Sequence, residues 1–439
     1  MFDKLFSWTR KKEEPQPDVV LGRYSDNNKS VEKTNRWNDA DEHFKGKNFP
    51  QSIDAFFEYL RDDSINNVIT DRKGEVLNFT IYQGSKVVRG NCDNKRLFAE
   101  VNLARMPQPS IPVMRRLLEQ NYLLYYSRYT LQEDRICMRF DTEIAGSSPN
   151  KLYYGLKELA TKADKQDDIL VQDFAHLEQI DTDHIEPLPQ EEQKVKLDYF
   201  RQFIRETVDY TDTLDKDKLA GGIAYMLLGL GYRLDYLVAP EGKLLYELEK
   251  VIGLYFSKEE KTAQEKNHLM TEGFRKILEK KDEEILPYLF RSTSTFSIVA
   301  PQPHKAVADA LTTAISNMQW YKENKYPEIA RQILEYGFSY CQYSFSLPRP
   351  LSQLFRLFME INYPGYFLAL GFQGQLFDPA SNQFEKKEIE DEIAKIFETW
   401  IEKYPNMEWR AQNLRYDHIL SFNQSFLNEI QSLNLEGSK

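Results

Sequence analysis

The sequence predicts an α+β fold: an amino-terminal α-β-β-β-α-β-β-α domain with an antiparallel sheet, followed by a mainly α-helical domain. Three observations carry this. Between Phe49 and Leu177, stretches with apolar residues three and four apart alternate with stretches of two-residue alternation. The alternating stretches follow one another through short turns, which favours antiparallel pairing over long crossovers. From about Val195 onward the pattern is helical almost throughout.

The first 40 residues read as a flexible amino-terminal segment. "MFDKLFSWTRKK" mixes Phe2, Leu5, Phe6 and Trp8 with lysine and arginine, and no small-residue cleavage site follows, so it is not a signal peptide. Such a stretch could touch a membrane interface through those four residues, but alone it would bind weakly. A frayed or locally docked terminus is the simpler expectation.

Residues 41–177 form the α+β domain. In "FPQSIDAFFEYLR", Ile53, Phe56, Phe57 and Leu60 make a helical stripe behind Pro50. In "VLNFTIYQGSKVVRGN", Leu77, Phe79 and Ile81 alternate with polar residues before a turn at Gly84, and "RLFAEVNLA" aligns Leu97, Ala99, Val101 and Leu103. Ser110 is a plausible N-cap for a helix burying Val113, Met114, Leu117 and Leu118. Two strands are then expected, "YLLYYSRYTL" and "RICMRFD", the second with Ile136, Met138 and Phe140 on one face. "NKLYYGLKELATKA" closes the domain with a stripe of Leu152, Tyr153, Leu156, Leu159 and Ala160.

That order, with "LLEQNYLLYYSRYTLQEDRICMRFDT" leading into a closing helix, resembles the type III secretion chaperone-like fold, the group of CesT-like secretion chaperones and YbjN-like proteins. The resemblance covers roughly Arg36 to Leu177 and lies in a helix ending near Asn121, a strand, a short turn, an alternating strand and a helix. It implies a non-enzymatic domain that commonly dimerises and holds extended segments of a client. It carries over no catalytic residues. Dedicated secretion chaperones are small stand-alone chains, whereas here a long helical region follows.

Residues 178–193, "EQIDTDHIEPLPQEEQ", read as an acidic linker. Asp181, Asp183, His184 and Glu186 include metal-ligand types, but no glycine stands where a calcium loop needs one. Residues 194–439 make the helical domain, with a sub-boundary expected near 293–303. Its most apolar stretch, Leu219 to Val238, runs about 14 residues before Arg233 and Asp235, short of the roughly 20 needed to cross a bilayer. It also lacks the motifs of a dinucleotide or phosphate loop, so a buried helix is expected. "YPGYFLALGFQGQLFD" is open between helix and hairpin. "EIEDEIAKIFETWIEKY" is a clear helix, and Trp409 to Leu433 reads as a last long one.

Composition narrows the function. A formal net charge of −11 argues against nucleic acid as the partner. Cys92, Cys137 and Cys341 are far apart without CxxC spacing, so neither a disulfide framework nor a zinc knuckle is implied, and a reducing cytoplasm is the expected location. The six histidines include no HExxH, and no GxSxG or kinase loop is present, so no catalytic residue, cofactor or metal is expected. Arg415 to His418 is an isolated polar cluster.

Tyrosines crowd one region, and in the expected strand Leu123, Tyr125 and Tyr129 share one face while Tyr126 lies on the other. These four are the candidate partner-binding residues. The reading is a cytoplasmic adaptor or chaperone-like protein that binds a protein partner or a second copy of itself. The alternatives are an enzyme with a site in the helical half or interdomain cleft, and a structural subunit of a larger bacterial assembly.

Overall fold

The alternating residues build a seven-stranded antiparallel sheet in a computed structural model that describes residues 16–436. In chain order the amino-terminal unit comprises α1 (Val31–Lys45), α2 (Phe49–Leu60), β1 (Val68–Lys73), β2 (Val76–Gln83), β3 (Lys86–Cys92), β4 (Arg96–Arg105), α3 (Ile111–Asn121), β5 (Arg128–Gln132), β6 (Arg135–Glu143), α4 (Pro149–Asp173) and β7 (Glu178–Gln179). The strands lie in the order β1-β2-β3-β4-β6-β5, with β7 pairing β4 beside this path. Leu77, Phe79, Ile81, Leu97, Ala99, Val101, Met138 and Phe140 bury their side chains with Ile53, Phe56 and Phe57 of α2 and Leu156 and Leu159 of α4.

The rest of the chain supplies β8 (Glu186–Pro187), α5 (Gln190–Asp212), α6 (Ala220–Leu237), α7 (Gly242–Gly253), α8 (Ala263–Leu278), β9 (Phe290–Arg291), α9 (His304–Glu323), α10 (Pro327–Ser344), α11 (Arg349–Asn362), α12 (Pro364–Ala369), β10 (Phe377–Asp378), β11 (Gln383–Phe384), α13 (Lys386–Trp400) and α14 (Ile419–Gln431). The fold is therefore α+β, with the antiparallel sheet first and a second hydrophobic core among the helices.

Several expectations are corrected. Helix α1 and strand β1 were not legible: α1 buries only Ala40, and β1, at the sheet edge, buries only Val68, so neither shows an apolar stripe. In α3, Val113 and Leu117 face inward but Met114 and Leu118 face out. The acidic linker is docked: β7 extends the sheet, β8 pairs β9, and α5 begins at Gln190. The expected sub-boundary is a clasp instead. Phe296 inserts into the sheet core, and its backbone N–H donates to the Gln83 carboxamide at 2.9 Å. The stretch after Tyr363 contains both a helix, α12, and a hairpin, β10–β11. The last helix is α14 alone, begun at His418, whose Nδ1 accepts from the Ser421 N–H at 3.1 Å. Arg415 to His418 is thus its lead-in.

Residues 16–30, expected as part of a flexible segment, cross between the two cores. Arg23 pairs with Asp235 of α6 at 2.6 Å and with Glu249 of α7 at 3.0 Å. Gly22 N–H donates to the Tyr236 carbonyl at 2.8 Å, and Lys29 Nζ donates to the Leu60 carbonyl at 2.6 Å. Phe2, Leu5, Phe6 and Trp8 lie outside the described residues.

Helix α6 is buried on nearly all sides, including Arg233 and Asp235. Among the described residues no helix is long and apolar enough to cross a membrane. Gly222 permits the close approach of α10: a Cβ there would lie 2.8 Å from Ile329 Cγ2 and from the Tyr321 ring. Gly222→Leu is therefore expected to lower stability by about 1–3 kcal/mol through overpacking. Chemical denaturation measures this, and an unchanged midpoint would count against such tight packing.

Candidate partner-binding surface

Helix α3 carries more apolar residues than one stripe can bury. Val113 and Leu117, four apart, turn toward the core, which leaves Ile111, Met114 and Leu118 on the outer side. Leu118 is 66% exposed. The helix packs against β5, the last strand of the sheet, and among the described residues one edge of β5 has no neighbouring strand. Leu131 of β5 is exposed beside it.

Between α3 and β5 the chain does not form the expected strand. Glu158, on α4, accepts hydrogen bonds from the backbone N–H groups of Tyr125, Tyr126 and Ser127 at 2.8, 2.9 and 2.8 Å, and from the Ser127 hydroxyl at 2.8 Å. Successive amides of a strand point to opposite sides, so three consecutive amides converging on one carboxylate exclude that conformation. Burial works to raise the Glu158 carboxyl, but these donors outweigh it and hold the group below its usual range. Asn121 fixes the other end by accepting from the Tyr129 N–H at 2.8 Å. The strand begins only at Arg128.

This loop has a fixed backbone and outward side chains. Tyr122 and Tyr125 are 94% and 92% exposed, with Leu123 and Tyr126 also exposed. Tyr126 meets the edge of Phe140 with ring centroids 6.4 Å apart. Tyr129 is different: contrary to expectation it is buried in the sheet core, because its side chain turns inward from β5, and it is not part of this surface. The structure therefore brings Leu123, Tyr125 and Tyr126 together on the surface. It adds Ile111, Met114, Leu118, Tyr122 and the positioning residue Glu158. The apolar surplus of α3 was the available signal for the first three. Glu158 lies more than thirty residues away in sequence and gave none.

The acidic segment before α5 gathers no metal ligands. Asp181 accepts from Arg89 Nη2 at 2.8 Å, and His184 packs on Tyr82 with ring centroids 5.7 Å apart. Among the described residues no group of three or more His, Cys, Asp or Glu side chains could hold a metal ion. Cys92, Cys137 and Cys341 are buried free thiols, and burial pushes the first two up to about 11.

No family model and no curated protein matches the chain.

Proposed function

We propose that the protein is a non-enzymatic adaptor or chaperone-like protein of the cytoplasm. It holds an extended, apolar-rich polypeptide segment against α3, the tyrosine loop and the free edge of β5. The observation that carries this reading is the loop pinned by Glu158, which keeps its backbone ordered while Tyr122 and Tyr125 stay almost fully exposed. Rigid tyrosines supply large contact area at low entropic cost. An unpaired strand edge supplies backbone hydrogen bonds to an added strand, with side-chain contacts giving selectivity. The resemblance of this unit to secretion chaperones, which hold extended client segments, supports the same reading.

Tyr125→Ala and Tyr126→Ala test it separately. Truncating an interface anchor costs about 2 kcal/mol, so partner recovery in pull-down should weaken about 30-fold at unchanged melting temperature. Glu158→Gln should weaken recovery through a looser loop. Sedimentation distinguishes a second copy of the chain from a separate partner. A strictly monomeric wild type that recovers no partner, with tyrosine variants that merely unfold, would sink the proposal.

A further inference from the structure

The seam between the sheet unit and the helices contains a cleft of about 360 Å³. One wall is α11, where Arg349, Ser352, Gln353 and Arg356 follow at helical spacing, share a face and all line the cleft. The opposite face of this strongly amphipathic helix buries Leu351, Leu354, Phe355 and Phe358.

The other charged side chains lining the cleft, Arg23, Asp62, Asp164, Asp235 and Glu241, each have a hydrogen-bond partner. Arg23 donates to both carboxylate oxygens of Asp235, at 2.9 and 3.0 Å from its Nε. Asp164 accepts from the Ser85 N–H at 2.7 Å, and Glu241 accepts from the Ser292 hydroxyl. Arg349 and Arg356 are the exceptions, since among the described residues neither closes an ion pair. Arg356 lies 4.9 Å from the centroid of the Phe372 ring, and it influences Glu360, one turn on, without pairing to it. Both guanidinium groups reach the Tyr236 hydroxyl electrostatically: burial pushes that phenol up, and Arg356 and Arg349 oppose the shift.

Two further features leave this end of the cleft short of partners. Helix α11 starts here behind Pro348, without an acidic residue in its first turn and, among the described residues, without a side-chain cap at its positive end. Gln342 is only 8% exposed and lines the cleft, yet among the described residues its buried Oε1 has no hydrogen-bond partner. An unmet acceptor of this kind calls for a hydrogen-bond donor, such as a hydroxyl on the body of a ligand.

We propose that the cleft binds a small organic anion, its carboxylate or phosphate held between Arg349 and Arg356 and its body lying against Gln342 and Tyr236 along the seam. Guanidinium groups match both anions through paired N–H donors. Clefts of about 300–1,000 Å³ where domains meet are the usual setting of small-molecule sites, and this volume suits a molecule of metabolite size. The site is separate from the α3–β5 surface, and its test does not depend on that reading.

Isothermal titration calorimetry on the full chain, at matched ionic strength, uses inorganic phosphate, glycerol 3-phosphate and succinate as probes. Saturable one-site binding of at least one probe is expected, weakened about tenfold or more in Arg349→Gln and in Arg356→Gln, with the melting temperature unchanged without probe. Preference for glycerol 3-phosphate assigns a phosphate ligand, and preference for succinate assigns a carboxylate. Should Arg356→Gln fail to fold, the exposed Arg349 carries the comparison. No saturable binding of any probe in the millimolar range, or equal affinity in the folded variants, overturns the proposal.

Discussion

Glu335→Leu is expected to destabilise the helical core by about 3–5 kcal/mol, because it strands a buried arginine. Arg233 of α6 donates from Nε to Glu335 of α10 at 2.7 Å, and the two side chains are 3% and 0% exposed. Tyr363 donates to the same carboxylate, and Arg331 approaches it at 3.8 Å. Arg233 also lies 4.7 Å from the Tyr363 ring centroid. A guanidinium cannot shed its proton to escape burial, so the loss of Glu335 leaves its buried charge without its ion-pair partner, with the neutral Gln332 carboxamide still accepting from its Nη2. Replacing both members, Arg233→Met with Glu335→Leu, should recover most of the stability, since apolar groups of similar volume often substitute for a buried pair at little net cost. Urea denaturation of the single and double variants measures this. A single variant within about 1 kcal/mol of the wild type would show that the pair is not buried as described.

Thermal stability is expected to fall as pH rises from about 5 to 8. The cause lies in acids crowded at the seam between the two cores. Helix α4 presents Asp164, Asp167 and Asp168 there, opposite Glu241 at the start of α7. The β2–β3 turn comes close enough that a Cβ on Gly84, at φ +55°, would sit 2.0 Å from Asp164 Oδ1. Lys86 supplies one compensating charge, 3.0 Å from Asp167, with both side chains fully buried. Burial pushes Glu241 up to about 7 against the opposing Ser292 hydrogen bond and Arg23. Burial, together with repulsion from Asp167, also pushes Asp168 up to about 7, while Lys86 opposes the shift.

Acids that hold their protons more tightly in the fold stabilise it fully below their ordinary range, near pH 4. That contribution is lost as pH rises through about 7. Glu241→Gln removes one such charge at nearly constant shape. It should flatten the profile and leave the variant more stable than the wild type at pH 8, by up to about 3 kcal/mol. Parallel melting profiles for the two proteins would show that Glu241 does not carry the effect.

Much of the fold was legible because burial leaves a period in the sequence. Leu77, Phe79 and Ile81 announced a strand, and Ile53, Phe56, Phe57 and Leu60 a helix, since each set has one face to hide. Elements that bury almost nothing, such as α1 and β1, left no period to read. The tyrosine-rich composition of residues 122–129 pointed to the surface that became the candidate site, and Leu123, Tyr125 and Tyr126 are exposed there. Their conformation was not legible, because Glu158 acts across more than thirty residues and overrides strand propensity.

Long-range pairing had the same effect elsewhere. Arg233 and Asp235 read as interruptions in an apolar run, but Glu335 and Arg23 pair with them inside the protein. The face of α11 that lines the cleft is likewise enclosed only by the packing of the two cores. The sequence by itself determined which residues are apolar and with what local period, and that settled the α+β class. Only the tertiary structure decided which polar groups meet: hydrogen bonds and ion pairs act over a few ångströms in space whatever their separation along the chain.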